Sequence, residues 1–193
     1  MPTELRCSGV LLHPSSLPGP HGIGDLGAGA RHFIDFLALS GQSLWQILPL
    51  GPVGADGCPY SALSAMAGNP LLLSLEDLLP HGLLFTDELA SLPNQAAPYM
   101  DLHLAAHCKL PLLRRALSRL RGGLRQEFYA FCHVERHWLD DYVLFASLNH
   151  EQASPWYEWS PELRDREPMA MAEARRRLQH ERRFHAFCQF IFQ

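Results

Sequence analysis

The apolar residues among the first fifty positions are concentrated in two short, largely continuous runs, at residues 8–13 and 43–48. A strand with one face in water alternates apolar and polar residues, whereas a strand covered on both faces is apolar throughout. Both runs therefore predict short strands that are buried on both faces. Prolines and glycines follow the first run and predict a loop there.

The stretch between the two predicted strands has the pattern of an amphipathic helix. Phe33, Phe36 and Leu37 recur at helical spacing, with Ile34 on the flank of the same face. Gly41 follows the last turn, where a residue that is free to adopt a positive φ ends a helix. Strand, helix and strand in this order predict a βαβ unit with parallel strands and a right-handed crossover.

After Leu102 the apolar residues recur with a period of 3.6 and predict helices. One long helix is predicted to carry Phe128, Phe131, Val134, Trp138, Tyr142, Phe145 and Leu148. Ser160-Pro161-Glu162 provides an N-cap, a first-turn proline and a first-turn acid, which predict the start of a shorter helix.

A last helix is predicted from about Met169 to the end of the chain. Its apolar side is formed by Ala174, Leu178, Phe184, Phe187, Cys188 and Ile191. No cap, glycine or polar tail follows it, so we expect the chain to stop in the middle of this element.

Composition and charge narrow the class of protein. The chain has 193 residues, of which 47% are hydrophobic, and a formal net charge of -4. That is enough apolar material for a core, and without a basic stripe we expect neither a nucleic-acid partner nor an anionic membrane partner. No apolar run approaches the ~20 residues that span a bilayer. The N-terminus is unlike a secretory leader, so we expect a cytoplasmic location.

The cysteines favour neither a disulfide framework nor a structural zinc site, because they are five single residues without a CxxC pair. They are Cys7, Cys58, Cys108, Cys132 and Cys188. Neither a metal nor an organic cofactor is expected, and the sequence assigns no residue to bind one.

Two local motifs have both a functional and a structural interpretation. The run GIGDLG at residues 22–27 matches the dinucleotide motif G-x-G-x-x-G, but eight residues separate it from the strand and no ribose-binding acid ends the second strand. A structural glycine-rich loop is the favoured interpretation. His133 and His137 lie four residues apart, but the order H-x-E-x-H lacks the metalloprotease geometry, which favours a solvated or packing pair.

Aromatic residues provide two candidate contacts for a sugar. Trp156-Tyr157-Glu158-Trp159 gathers three aromatic rings that either stack against sugar or belong to the core. Tyr60 follows Pro59 in the loop after the second strand, where α/β proteins place ligand-binding loops. We therefore predict that Tyr60 presents its ring and hydroxyl to a ligand, the alternative being a tyrosine that only packs.

Taken together, five motifs resemble the opening of the 4-alpha-glucanotransferases, the family of amylomaltases and disproportionating enzymes. They are SGVLLHPSSLPGP (8–20), GIGDLG (22–27), GQSLWQILPLGP (41–52), PY (59–60) and SAMAGNP (64–70). Three later motifs are similar to the family's helical insertion, namely WLDDY (138–142), PWYEW (155–159) and FHAFCQ (184–189). The resemblance covers essentially the whole chain, although family members are much longer.

The resemblance implies an α/β fold, namely the N-terminal part of a (β/α)8 TIM barrel with a helical insertion. Only the first two barrel strands are expected in this chain, so the barrel is expected to be incomplete. Residues 1–75 are expected to form the first βαβ portion. Residues 76–193 are expected to form the insertion, truncated at the C-terminus.

The resemblance also implies the transfer of α-1,4-glucan segments between maltooligosaccharides by a retaining mechanism with two carboxyl groups. Both acids belong to later strands of the family, so no catalytic residue is expected in this chain. Tyr60 matches the family's substrate-contacting tyrosine. Cys58 stands where members often have Ser, and Ala55 where some have a Tyr of a second glucan-binding groove.

Two hypotheses follow from these expectations. The chain is the N-terminal part of a 4-alpha-glucanotransferase, or it is a truncated, inactive remnant that binds glucan weakly or not at all. Two parallel strands cannot close a barrel that needs eight, so self-association through the open strands is also expected.

Overall fold

The structure, a computed structural model, describes residues 7–54, 56–93 and 99–193. In that part of the chain, mostly helical elements accompany a small parallel sheet. The strands are β1 (Gly9–Leu11) and β2 (Leu44–Gln46). The helices are α1 (Ala28–Leu39), α2 (Thr86–Ala90), α3 (Leu102–Ser118), α4 (Gly122–Val134), α5 (Arg136–Gln152), α6 (Pro161–Arg164), α7 (Pro168–Arg177) and α8 (Gln179–Phe192).

The βαβ unit has the predicted order and strand direction. β1 pairs with β2 in parallel, with Gly9 opposite Leu44 and Leu11 opposite Gln46. A Cβ atom on Gly9 would lie 2.5 Å from the Leu44 carbonyl oxygen, so the close approach of the two strands needs a glycine. The indole of Trp45 donates a hydrogen bond to the Leu12 carbonyl at 2.7 Å and fastens the end of β1 to β2.

The helix between the strands ends as the sequence predicts. α1 stops at Leu39, and Gly41 adopts a φ of +69°. Phe33 packs its ring against Trp45, with the ring centroids 5.0 Å apart in an edge-to-face arrangement. α1 therefore covers one face of the sheet.

The prediction that both strands are buried on both faces is wrong for this chain. Leu11 is 56% exposed and Leu44 is 54% exposed, whereas Val10 and Trp45 between them are partly buried. Apolar residues on both faces favour a layer on each side, but α1 supplies a layer on only one. The outer face of β1 and β2 is thus an apolar surface in water.

The long helix predicted through Trp138 and Tyr142 is two helices. α4 ends at Val134 and α5 begins at Arg136, with Glu135 between them at a ψ of 2°. Val134 points into solvent rather than into the apolar stripe. Both halves pack against α8, and Phe128 of α4 meets Phe187 and Phe190 of α8 in edge-to-face contacts.

The last predicted helix is also divided. α7 ends at Arg177 and α8 begins at Gln179, with a break at Leu178. The break lets Leu178 join the core that α5 and α7 share, and Met169 at the start of α7 is exposed. The buried residues of that core are Leu144, Leu148, Trp159, Met171, Ala174 and Leu178. The shorter helix α6 begins at Pro161, as predicted.

The chain divides into two compact units, Met1–Arg119 and Leu120–Gln193. The first contains the sheet and α1 to α3, and the second contains α4 to α8. The assignment of residues 1–75 to a barrel and of 76–193 to an insertion stays a prediction. Among the described residues, no helix combines the length and the apolar character that a membrane span requires.

Candidate ligand-binding site

His13 joins the two loops that leave the carboxyl ends of the strands. Its Nε2 lies 3.3 Å from the Pro49 carbonyl oxygen after β2, and its Nδ1 lies 2.7 Å from the Ser15 hydroxyl after β1. A carbonyl only accepts, so Nε2 carries the proton and Nδ1 accepts from Ser15. Burial lowers the pKa of His13, and its bond to the Pro49 carbonyl opposes this shift in part. The neutral ring therefore holds the loops together.

A cleft of about 570 Å³ opens beside the loop that follows β1. The residues that line it are Ser15, Ser16, Leu17, Pro18, Gly19, Gly22, Ile23, Gly24, Tyr99 and Met100. Hydroxyl groups, exposed backbone and an aromatic ring thus face the same space. A cleft at the carboxyl end of parallel strands is the usual place for a ligand in α/β folds.

The glycines of the GIGDLG motif let the chain pack closely on itself. A Cβ atom on Gly24 would lie 2.2 Å from the Pro14 carbonyl oxygen and 2.4 Å from that of Leu17. The Gly24 N–H donates to the Ser15 carbonyl at 3.0 Å. The close contacts of Gly24 are therefore with backbone of the same loop, which fits the structural interpretation of the motif.

A buried lysine, which the sequence analysis missed, fixes this loop to α3. The Lys109 ammonium group donates to Asp25 Oδ2 at 2.7 Å and to the carbonyls of Leu71 and Leu73 at 3.0 and 2.8 Å. The other Asp25 oxygen accepts from the Gly27 N–H, just before α1. Burial lowers the pKa of Lys109, and the Asp25 carboxylate opposes that shift.

A signal for this lysine was present in the sequence. Lys109 lies four residues after Ala105 and three before Leu112, so it belongs to the buried face of α3. A charged residue within an apolar helical stripe indicates a buried partner.

A histidine and a glutamate lie close together in the same unit. His21 is buried, and its Nε2 lies 3.7 Å from Glu76 Oε1. The His21 ring lowers the pKa of Glu76 to about 2, although burial acts in the opposite direction. Glu76 is therefore ionised at neutral pH.

Tyr60, for which the sequence predicts a ligand contact, lies in the loop after β2. It occupies the 3-10 turn Pro59–Ser61 after β2 and is 75% exposed. The turn is braced from within, since the Cys58 N–H donates to Asp56 Oδ1 at 3.3 Å and the Ser61 N–H donates to the Cys58 carbonyl at 3.1 Å. The Tyr60 ring and hydroxyl are thus available to a ligand.

The loop that carries Tyr60 adjoins the residues at the rim of the cleft. A Cβ atom on Gly57 would lie 2.9 Å from Leu102 and 3.9 Å from the methyl group of Met100, which lines the cleft. Ala55, where some family members have a groove tyrosine, lies outside the described residues.

The other sequence candidates are placed as follows. Trp159 is buried, whereas Trp156 and Tyr157 are exposed on one turn. His133 lies in the last turn of α4 and His137 in the first turn of α5, so a helix break separates them. Throughout residues 7–54, 56–93 and 99–193, no cluster of His, Cys, Asp and Glu has the arrangement of a metal site.

Comparison with known proteins identifies the family. The family model described as 4-alpha-glucanotransferase matches residues 12–193. The chain belongs to the 4-alpha-glucanotransferase family. It is 43% identical to the 4-alpha-glucanotransferase of Synechocystis sp. and 41% identical to that of Thermus thermophilus, each over 97% of this chain. It covers 38% of the length of both relatives.

Solved structures of two amylomaltases are similar to this fold. An amylomaltase from Streptococcus agalactiae in complex with acarbose matches 97% of this chain with a TM-score of 0.89 at 30% identity. An amylomaltase from Corynebacterium glutamicum matches 96% with a TM-score of 0.70 at 19% identity, which is a likeness of fold. The chain covers 39% and 27% of these two structures.

Proposed function

We propose that this chain is the N-terminal segment of a 4-alpha-glucanotransferase that moves α-1,4-glucan segments between maltooligosaccharides. Membership of the family and the match to an amylomaltase that binds acarbose support this proposal. The chain spans 38% of the length of two of its relatives, so we place the chemistry in the part of the enzyme that this chain lacks. A retaining double displacement there requires two carboxyl groups on either side of one glycosidic bond.

The exposed position of Tyr60 is the observation that supports a substrate contact in this segment. Its ring is exposed on a braced turn, in a loop that leaves the carboxyl end of a parallel strand. A phenol presents an apolar face to a sugar ring and a hydroxyl to its polar edge. We propose that Tyr60 contacts the glucan and that the neighbouring cleft lies beside its path.

The βαβ unit is proposed to be the first portion of a (β/α)8 barrel. Parallel strands are stable when both faces and both edges are covered, and the apolar outer face formed by Leu11 and Leu44 fits a barrel interior. Residues 76–193 are proposed to form the family's helical insertion. The cytoplasm remains the location predicted from the sequence.

The second candidate is that the isolated 193-residue chain is catalytically inactive and binds glucan only weakly. This candidate is favoured because the chain covers only 38% of the length of the Synechocystis relative. The exposed apolar outer face of the sheet favours it too. The two candidates are compatible, since one concerns the whole enzyme and the other concerns this segment alone.

The test uses a chimera in which residues 1–193 replace the matching segment of the Synechocystis relative, with the isolated chain assayed in parallel. We expect the chimera to convert maltotriose into glucose and longer oligosaccharides, and the isolated chain to leave maltotriose unchanged. Products from the isolated chain would place catalytic groups within it. An inactive but folded chimera would contradict the proposed function.

Substitution of Tyr60 in the chimera tests its role. We expect Tyr60→Ala to lower kcat/KM for maltotriose about 10- to 100-fold, because both the ring contact and the hydroxyl contact are lost. Tyr60→Phe separates the ring from the hydroxyl. Tyr129→Ala, an exposed tyrosine of α4, is the matched control and should leave kcat/KM unchanged. Equal activity of Tyr60→Ala and the parent chimera would exclude the contact.

A further inference from the structure

Two adjacent aromatic side chains of the second unit lie in water. Trp156 is 54% exposed and Tyr157 is 60% exposed, and both belong to the 3-10 turn Trp156–Glu158. Their ring centroids are 6.0 Å apart and the ring planes meet at 78°. The two rings therefore form the walls of a corner on the surface.

The turn that carries these rings is anchored by the third aromatic residue. Trp159 is buried, stacks against Phe145 at 5.7 Å and donates its indole N–H to the Ser154 carbonyl at 2.9 Å. The Glu158 and Trp159 N–H groups close the turn by donating to the carbonyls of Pro155 and Trp156. A ligand at the corner would thus meet rings whose backbone is already fixed, which lowers the entropy cost of binding.

The indole N–H of Trp156 differs from those of the other three tryptophans. Trp45, Trp138 and Trp159 donate theirs to Leu12, Glu135 and Ser154 at 2.6 to 2.9 Å. Within the described part of the chain, the Trp156 indole has no such acceptor. Its donor is free to bond a ligand in the same place where the ring offers an apolar face.

The chemistry of the corner fits a sugar better than a protein. The turn packs against α6, and exposed charged residues belong to both, namely Glu158 of the turn and Glu162 and Arg164 of α6. A stable protein interface needs roughly 800 Å² on each partner and an apolar centre, which two rings on a turn with charged neighbours do not supply. A pyranose has an apolar C–H face and a rim of hydroxyls, so it matches an aromatic face with a donor at its edge.

We propose that Trp156 and Tyr157 form a surface site for α-1,4-glucan chains. This site uses residues other than those of the Tyr60 loop. The ligand class rests on the proposed function of the family segment. The site itself stands on the two exposed rings, their anchored turn and the free indole donor. It would hold a long glucan on the second unit while another part of the same glucan is processed.

The test is an NMR titration of the intact 193-residue chain with maltoheptaose. The four indole N–H signals resolve the four tryptophans, and Trp156→Phe assigns the signal of interest. We expect the Trp156 signal to shift in a saturable way and those of Trp138 and Trp159 to stay in place. A Trp156 signal that does not move, or that moves with protein concentration instead of with maltoheptaose, would overturn the proposal.

Variants measure the contribution of each ring. We expect Trp156→Ala to weaken maltoheptaose binding about tenfold and Tyr157→Ala to weaken it less, as expected for a principal aromatic contact and its neighbour. Tyr129→Ala removes an equally exposed ring from the same unit and should leave the Kd unchanged. Circular dichroism checks that each variant is folded. Unchanged binding in folded Trp156→Ala would also overturn the proposal.

Maltoheptaose binding tests this site independently of the proposed enzyme function. Binding by the isolated chain does not require catalytic groups, so an inactive chimera leaves the titration interpretable. Loss of binding in Tyr60→Ala with full binding in Trp156→Ala would support the Tyr60 contact and reject the surface site. The reverse pattern would support the surface site and reject the Tyr60 contact.

Discussion

Three acceptors from two separate segments of the chain meet at the ammonium group of Lys109. The Asp25 carboxylate and the carbonyls of Leu71 and Leu73 match the three N–H donors of a lysine, so this fully buried charge is completely hydrogen-bonded. A buried pair of this kind adds little net stability over an apolar pair. Removal of one partner is costly, because the other charge then stays buried alone.

We therefore expect Lys109→Met to lower the free energy of unfolding by about 3 to 5 kcal/mol. The Lys109→Met/Asp25→Asn double variant should lose less than the sum of the two single variants, since it leaves no unpaired charge. Urea denaturation measures both. Arg176→Met on α7 breaks an exposed pair with Glu173 and, as the control, should change stability by less than about 0.5 kcal/mol. A loss in Lys109→Met no larger than in this control would contradict the argument.

Glu88 is a second charged residue that is buried. It accepts hydrogen bonds from Arg119 at 2.6 and 2.8 Å, from Arg115 at 2.8 Å and from the Phe85 N–H at 2.9 Å. The Arg119 guanidinium group, which also lies 4.5 Å from the centre of the Phe85 ring, is the largest cause that lowers the pKa of Glu88 to about 2. The carboxylate joins the start of α2 to the end of α3.

This contact should make stability depend on pH in a defined direction. A carboxyl group whose folded pKa is depressed from 4.5 to about 2 stabilises the fold above pH 4.5 and loses that effect as the pH falls through 2. We expect Glu88→Gln to be less stable than the parent at pH 5, with the difference shrinking between pH 4.5 and 2. Glu173→Gln on the exposed face of α7 is the control. Urea curves at pH 5, 3.5 and 2.5 that keep the same Glu88→Gln difference would refute the prediction.

At the scale of elements, the glycine-rich loop and the end of α1 use glycine for different reasons. Gly24 has a negative φ but no room, since two carbonyl oxygens lie within 2.4 Å of where a Cβ atom would be. Gly41 has room, with nothing within 4 Å, but a φ of +69°. A Cβ atom that meets rigid backbone lowers stability more than a Cβ atom on a residue in the left-handed conformation, which costs about 1 to 2 kcal/mol.

Gly24→Ala should therefore destabilise the first unit more than Gly41→Ala. We expect a loss of at least about 2 kcal/mol from Gly24→Ala, because the loop must open to admit a methyl group. For Gly41→Ala we expect about 1 kcal/mol. Thermal unfolding followed by circular dichroism ranks the two variants, and the opposite order would show that the loop adjusts freely.

The helix boundaries show what the hydrophobic period of the sequence cannot predict. The 3.6-residue pattern runs through Glu135 and Leu178 without interruption, yet α4 and α5 separate at the first and α7 and α8 at the second. Each short helix packs its own apolar face, as when Phe128 of α4 meets Phe187 and Phe190 of α8. The pattern records which residues are apolar, but the direction of each face depends on partners that are distant in sequence.

At the scale of the whole chain, the outer face of the sheet governs behaviour in solution. Leu11 and Leu44 are more than half exposed, and the two-stranded parallel sheet has open edges in the described part of the chain. Open parallel edges next to an apolar face favour pairing with another chain.

We expect the isolated 193-residue chain to self-associate and to unfold with low cooperativity. Leu11→Lys should reduce association, because it places a charge on the outer face. Met169→Lys changes a more exposed apolar residue, at the start of α7, and should have no effect. Light scattering after size exclusion measures the mass. A monomer at all concentrations with a sharp, reversible thermal transition would contradict this prediction.

The sequence by itself determined the βαβ unit, its parallel direction, the end of α1 and the family. These depend on local signals, namely continuous apolar runs, helical spacing before Gly41 and motifs at fixed positions. It also indicated Tyr60, whose exposure follows from a rigid turn after a strand.

Only the tertiary structure decided which apolar residues are covered and which charges are paired. Trp156 and Trp159 lie in the same motif, but only Trp159 reaches the core that α5 and α7 form. Lys109 is charged yet fully buried, because Asp25 lies against it from a loop 84 residues away. Burial and pairing are properties of contacts between distant segments, so a pattern read along one chain cannot specify them.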